Sequence, residues 1–96
     1  MNDIEAEIVE KGLTAPRITP ERLEEVIESE AYHVFPGTTL TVSCLTLSNG
    51  YQVVGESACA SPENFNADLG RKIARDNAKQ KIWGLEGYAL RSRLSA

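Results

Sequence analysis

Residues 38–58 read TTLTVSCLTLSNGYQVVGESA, and the fold class turns on this stretch. Thr38 to Leu47 is rich in β-branched residues, which suit a pleated, half-buried surface. Ser48-Asn49-Gly50-Tyr51 then supplies turn chemistry, and Tyr51 to Ala58 is strand-like again. An Asn-Gly pair fits a two-residue type I′ loop, because both of its positions need positive φ. That loop sets Cys44 opposite Gly55 and Leu40 opposite Cys59. The expected core face is then Leu40, Val42, Cys44 and Val53, while Leu45, Leu47 and Val54 leave the other face partly apolar. On this register the two cysteines share a face, roughly 13 Å apart at about 3.3 Å per residue. A disulfide needs Cα atoms within about 7 Å, so the thiols are expected free.

Helical segments flank the hairpin. Residues 2–13 place Ile4, Ile8 and Val9 at helical spacing, with Gly12 as a stop. Thr14–Arg17 is a connector broken by Pro16. Thr19-Pro20-Glu21 then offers an N-cap, a proline at the first helical position and an acid in the first turn. Ile18 and Leu23 are placed for a hydrophobic staple. Leu23, Val26 and Ile27 make an apolar stripe that predicts a helix to about Glu30, with residues 31–36 extended and Pro36-Gly37 turning. Downstream, Ser61-Pro62-Glu63 repeats the same helix-start pattern. The helix is predicted to run through about Trp83 and stop at Gly84. Its apolar face is read as Ala67, Leu69, Ile73, Ala74 and Ala78, with Ile82 at the margin. In the tail beyond, Leu85, Tyr88, Ala89 and Leu90 sit at packing spacing.

The expected architecture is therefore α+β: a small antiparallel, hairpin-based sheet packed with N-terminal helices and a long C-terminal helix. Its 96 residues make one domain, with an acidic helical part (1–30), a hairpin sheet (31–60) and a basic helix with its tail (61–96). A chain of this size buries only about 60–65% of its unfolded surface, so its core gains from a partner copy and a homo-oligomer is expected. Hydrophobic content of 42% with 25% charged residues argues against a disordered chain.

Charge is distributed unevenly. Residues 1–30 sum to −6 and residues 69–96 to +5, within a net charge of −4. The two halves can pair with one another, or the basic part can meet a phosphate-bearing ligand. The acidic total argues against nucleic acid as a partner. No apolar run approaches the roughly 18 residues of a membrane span. The first residues do not read as a signal peptide, so the cytosol is the expected compartment, where thiols stay reduced.

Candidate chemistry is sparse. Arg71 and Arg75 are spaced i, i+4, so two planar forks leave one side of a helix, a geometry that grips phosphate or carboxylate oxygens. The same pair also reads as a solvated face, or as partners for the acidic N-terminal helices. Asn77 falls in the apolar face, where a buried amide must be satisfied by a backbone group of the hairpin or by a ligand. His33 has no Cys or His partner at ligand spacing and no nucleophile elbow, so neither a zinc site nor a triad is indicated. The glutamates have the spacing of exposed helix faces. The sequence has no phosphate-binding glycine loop and no dinucleotide fingerprint, and no metal or cofactor is expected. A non-enzyme is the reading that follows.

Several stretches carry a resemblance: Phe35 to Thr39, Gly55-Glu56-Ser57-Ala58, Ser61-Pro62-Glu63-Asn64-Phe65, and Gly70-Arg71-Lys72-Ile73-Ala74-Arg75 with Asn77 and Trp83. Across residues 32–90 the chain resembles a family of small phage and prophage proteins. The family includes a gene-66 product of a Shigella phage and a gene-49 product of a coliphage. It is also similar to phage anti-defence sponges of the Thoeris and CBASS type, which sequester cyclic ADP-ribose-type and cyclic oligonucleotide signals. That resemblance implies a non-catalytic oligomer with ligand pockets between subunits. Arg71 and Arg75 would hold phosphates, and Phe35 or Phe65 would stack on a base, with Asn77 as a further contact. The alternative is a module that blocks a host protein through its sheet face.

Overall fold

The computed structural model describes residues 2–13 and 15–96; Thr14, with which the expected connector begins, lies outside them. In chain order the elements are α1 (Asn2–Glu10), α2 (Pro20–Glu25), β1 (Ile27–Val34), β2 (Leu40–Leu47), β3 (Gln52–Ala58), a 3₁₀ turn (Pro62–Asn64) and α3 (Ala67–Leu94). The strands form an antiparallel sheet in the order β1-β2-β3. The fold is α+β, with α3 laid across one face.

α2 begins as read. Thr19 accepts a hydrogen bond from the Arg22 backbone N–H at 3.2 Å, and Pro20 opens the helix. It ends at Glu25, not near Glu30. The local sequence suits a helix, but Ile27 pairs with Leu47 and Ser29 with Thr46 across a bulge. Strand pairing therefore overrides helix propensity here, and the stretch expected to be extended over 31–36 is extended through Val34 as the second half of an eight-residue strand that starts at Ile27.

The hairpin loop is one residue longer than predicted. Leu40 pairs with Ala58 and Cys44 with Val54. The loop is Ser48-Asn49-Gly50, closed by the Gly50 N–H on the Leu47 carbonyl at 2.9 Å. Only Gly50 takes positive φ (90°); Asn49 instead uses its side chain to accept from the Tyr51 N–H at 3.0 Å. A one-residue shift in register changes which residues share a face. The buried face is Thr41, Ser43, Leu45, Leu47, Val53 and Gly55; of the expected Leu40, Val42, Cys44 and Val53, only Val53 belongs to it. Ala31, His33, Val42, Cys44 and Val54 lie on the outer face. Both cysteines are free. Cys59 follows the end of β3, where its thiol donates to the Ser61 carbonyl at 3.3 Å.

α3 departs from the reading at both ends. Pro62–Asn64 forms only a 3₁₀ turn, and the cap is Asn66, whose side chain accepts from the Leu69 N–H at 2.9 Å. The helix passes through Gly84 and Gly87 to Leu94. Its buried stripe is Ala74, Ala78 and Ile82, while Leu69 and Ile73 are exposed. The cause is a close approach: a methyl group on Gly55 would lie 2.2 Å from the Ala78 nitrogen and 2.3 Å from the Ala74 oxygen. Small residues on both elements let the backbones nearly touch, so the bulky residues cannot face the sheet. Beside this contact, Leu23, Val26, Leu45, Leu47, Val53 and Ile82 fill the core, flanked by Ile18, Ile27 and Trp83.

Candidate functional site

Arg71 and Arg75 lie one turn apart on α3, and their surroundings differ. Arg75 is enclosed by acids. Its two Nη atoms donate to the Glu24 carboxylate at 3.2 and 2.9 Å, and its Nε donates to Glu30 at 3.0 Å. Lys79 joins Glu24 at 2.6 Å, and the Tyr32 hydroxyl donates to Glu30 at 2.6 Å. The hydrogen bonds from Arg75 and Lys79 lower the Glu24 pKa to about 2. Those from Tyr32 and Arg75 lower that of Glu30. Burial, followed by the bond to Glu30, raises that of Tyr32. The Glu24 bond chiefly raises Arg75 further above its ordinary value. Three of the five N–H donors of Arg75, one on each nitrogen, are thus taken up by Glu24 and Glu30.

Arg71, one turn nearer the N-terminus, is different. Its ion-pair partner among the described residues is Asp68 at 3.6 Å, which Lys72 also approaches at 3.3 Å. With 44% of its side chain exposed, the guanidinium keeps most of its donors available.

The other candidates fall in two places. Asn77 lies roughly 160° round the helix from Arg75 at about 100° per residue. It donates to the Glu56 carbonyl at 2.9 Å on the edge of β3, the backbone-capping alternative of its two readings. Phe65 sits at the start of α3, where a methyl group on Gly70 would lie 4.0 Å from its ring. Arg71 follows Gly70 in the chain and so lies on the same turn of α3. Phe65 also lines a depression of about 440 Å³ with Gly37, Thr38, Thr39, Ala60 and Pro62. Phe35 stands at the root of the same β1–β2 turn, its carbonyl accepting from Thr38. Its ring packs edge-on against His33, with centroids 4.6 Å apart. The structure thus gathers Arg71, Phe65 and the base of Phe35 at one end, and sets Arg75 and Asn77 apart in structural contacts.

Residues 18–94 match the sequence model of the phage protein (N4 Gp49/phage Sf6 gene 66) family. The chain belongs to this family. Neither the curated proteins nor the solved structures gave a match. The stretches that resemble the family have distinct places in the fold. Phe35–Thr39 and Ser61–Phe65 meet at the depression beside Phe65, and Gly70–Arg75 runs away from it. Gly55–Ala58 holds the glycine against which α3 packs.

Glu24 and Glu30 were not singled out as partners of Arg75 by the sequence. Each is more than 40 residues away along the chain, and only the expected pairing of the acidic head with the basic helix hinted at them. Among the described residues, no group of three or more His, Cys, Asp or Glu is placed to hold a metal ion. No helix among them is long and apolar enough to cross a membrane.

Proposed function

We propose that this phage-family protein is a non-catalytic anti-defence protein of the host cytosol. It would sequester a cyclic nucleotide-type immune signal, either a cyclic ADP-ribose isomer or a cyclic oligonucleotide. The observation that carries this reading is an open depression of about 440 Å³ lined by Phe65 at the start of the helix that bears Arg71. An aromatic face stacks on any base and contributes about 1–3 kcal/mol. The Arg71 guanidinium in the first turns of α3, paired only loosely with Asp68 at 3.6 Å among the described residues, supplies bidentate donors for a phosphate. The N-terminal end of a 28-residue helix adds a favourable dipole for an anion. Arg75, which the resemblance also assigns to phosphate, acts in this reading as the brace that holds α3 to α2 and β1.

Titration calorimetry with cyclic ADP-ribose isomers and cyclic di- and trinucleotides tests the reading. The wild type should bind at least one, Arg71→Ala should weaken that binding at least about tenfold, and heating should release the ligand intact. Absence of binding to every one of these ligands would overturn the proposal.

A second reading has its own support. Among the described residues no helix covers the outer face of the sheet, and Leu40, Val42, Cys44 and Val54 run across it at least partly accessible. Such a face suits a module that inhibits a host protein. Capture of one stoichiometric host protein, insensitive to Arg71→Ala and lost in Val42→Glu, would favour it.

A further inference from the structure

We infer that the groove at the far end of the molecule receives helix α1 of a second copy, which makes the protein a symmetric dimer. This stands independently of the nucleotide reading. Past Ile82, α3 runs on beyond the hairpin loop with its core-facing stripe still apolar. Leu85 and Ala89 overlie Val26 and Leu47 across a cavity of about 390 Å³, with Arg22 and Arg93 at its rim. Val26, Leu47, Leu85 and Ala89 make its apolar part, Arg22 at the rim is already paired with Glu86 at 2.8 Å, and Arg93 is the rim charge with no partner among the described residues.

α1 has complementary properties. Glu5 pairs with Arg17 of the connector and Ile8 is partly buried, but among the described residues no other helix or strand packs substantially on it. Ile4 and Val9, with Leu13 just beyond the helix, are 61%, 57% and 58% exposed. A nine-residue helix is shorter than the roughly 12–15 residues needed to persist alone in water, so it requires a surface. Its acids Asp3 and Glu10 have no ion-pair partner among the described residues, and neither do Arg91 and Arg93 at the end of α3. Lengths agree as well: at about 1.5 Å per residue α1 spans about 14 Å and Leu85–Leu94 about 15 Å. Exchange of α1 between two copies fills both grooves by one two-fold operation and pairs acid with base at each.

Light scattering on the full chain over a range of concentrations is the test. A dimer of twice 10.5 kDa is expected. Arg91→Glu with Arg93→Glu should raise its dissociation constant at least about tenfold, and so should Ile4→Asp with Val9→Asp. All four positions are exposed, so circular dichroism should show the protomer still folded. Adding Asp3→Arg and Glu10→Arg to the Arg91/Arg93 variant should restore the dimer. A monomer at every concentration overturns the inference, and so does a dimer that neither pair of substitutions weakens.

Discussion

At Gly55 the absence of a side chain sets the distance between helix and sheet, because the nearest atoms are backbone atoms of Ala74 and Ala78 that cannot step aside. Gly55→Ala should therefore cost about 3 kcal/mol or more in urea denaturation. Gly70→Ala should cost less, since the Thr41 side chain at 3.0 Å has only to shift slightly. The Arg75 brace makes a pH prediction. Glu24 titrates at about 2 in the folded protein against an ordinary 4.5, so the unfolded chain takes up its proton first on acidification. The stabilisation is complete above the ordinary value and is lost as pH falls through about 2; Glu30 is shifted in the same sense. Stability should then fall between about pH 6 and about pH 2.5, and by less in Glu24→Gln. At neutral pH that variant should lose only about 1 kcal/mol, as the pair is partly solvent-screened. Equal acid sensitivity in both proteins would show that the brace is not the titrating element.

α3 is the element on which both ends of the molecule depend, and it also shows where sequence reading stops. Gly84 looked like a terminator, yet it and Gly87 lie inside the helix with no atom near a built methyl group. Gly84→Ala and Gly87→Ala should each stabilise the protein by about 0.5–1 kcal/mol in thermal or urea denaturation. Destabilisation would mean that the last turns are not helical. The two strands of the hairpin, the Thr19 cap and the existence of a basic C-terminal helix were legible because each is written in local residue chemistry. The register was not: Asn49-Gly50 fits more than one loop length, and a single extra residue exchanged the buried face. The α3 face was misread for a related reason. A wheel ranks Leu69 and Ile73 above Gly70 and Ala74, whereas a glycine on a distant strand rewards the small residues. The arginine pair was legible as a pair, but the separation of its members depends on Glu24 and Glu30, contributed by other elements.

The whole molecule, 49 × 31 × 17 Å, is a sheet with a helix on one face and unfilled surfaces at both ends. At the α3 start lie Phe65 and Arg71, and at the overhang lies the groove assigned to α1 of a second copy. Between them, Arg75 ties α3 to α2 and β1. This division gives the two arginines opposite expected phenotypes. Arg71→Ala should leave stability within about 0.5 kcal/mol, being a surface change, while Arg75→Ala should lower it by about 1–2 kcal/mol because Glu24 and Glu30 lose their partner. Calorimetric titration of the wild type, Arg71→Ala and Arg75→Ala with cyclic ADP-ribose isomers and cyclic oligonucleotides is the most direct test of the proposed function. Binding by the wild type and by folded Arg75→Ala, with a loss of at least about tenfold in Arg71→Ala, is the predicted result. No binding by the wild type, or equal binding by Arg71→Ala, would contradict it.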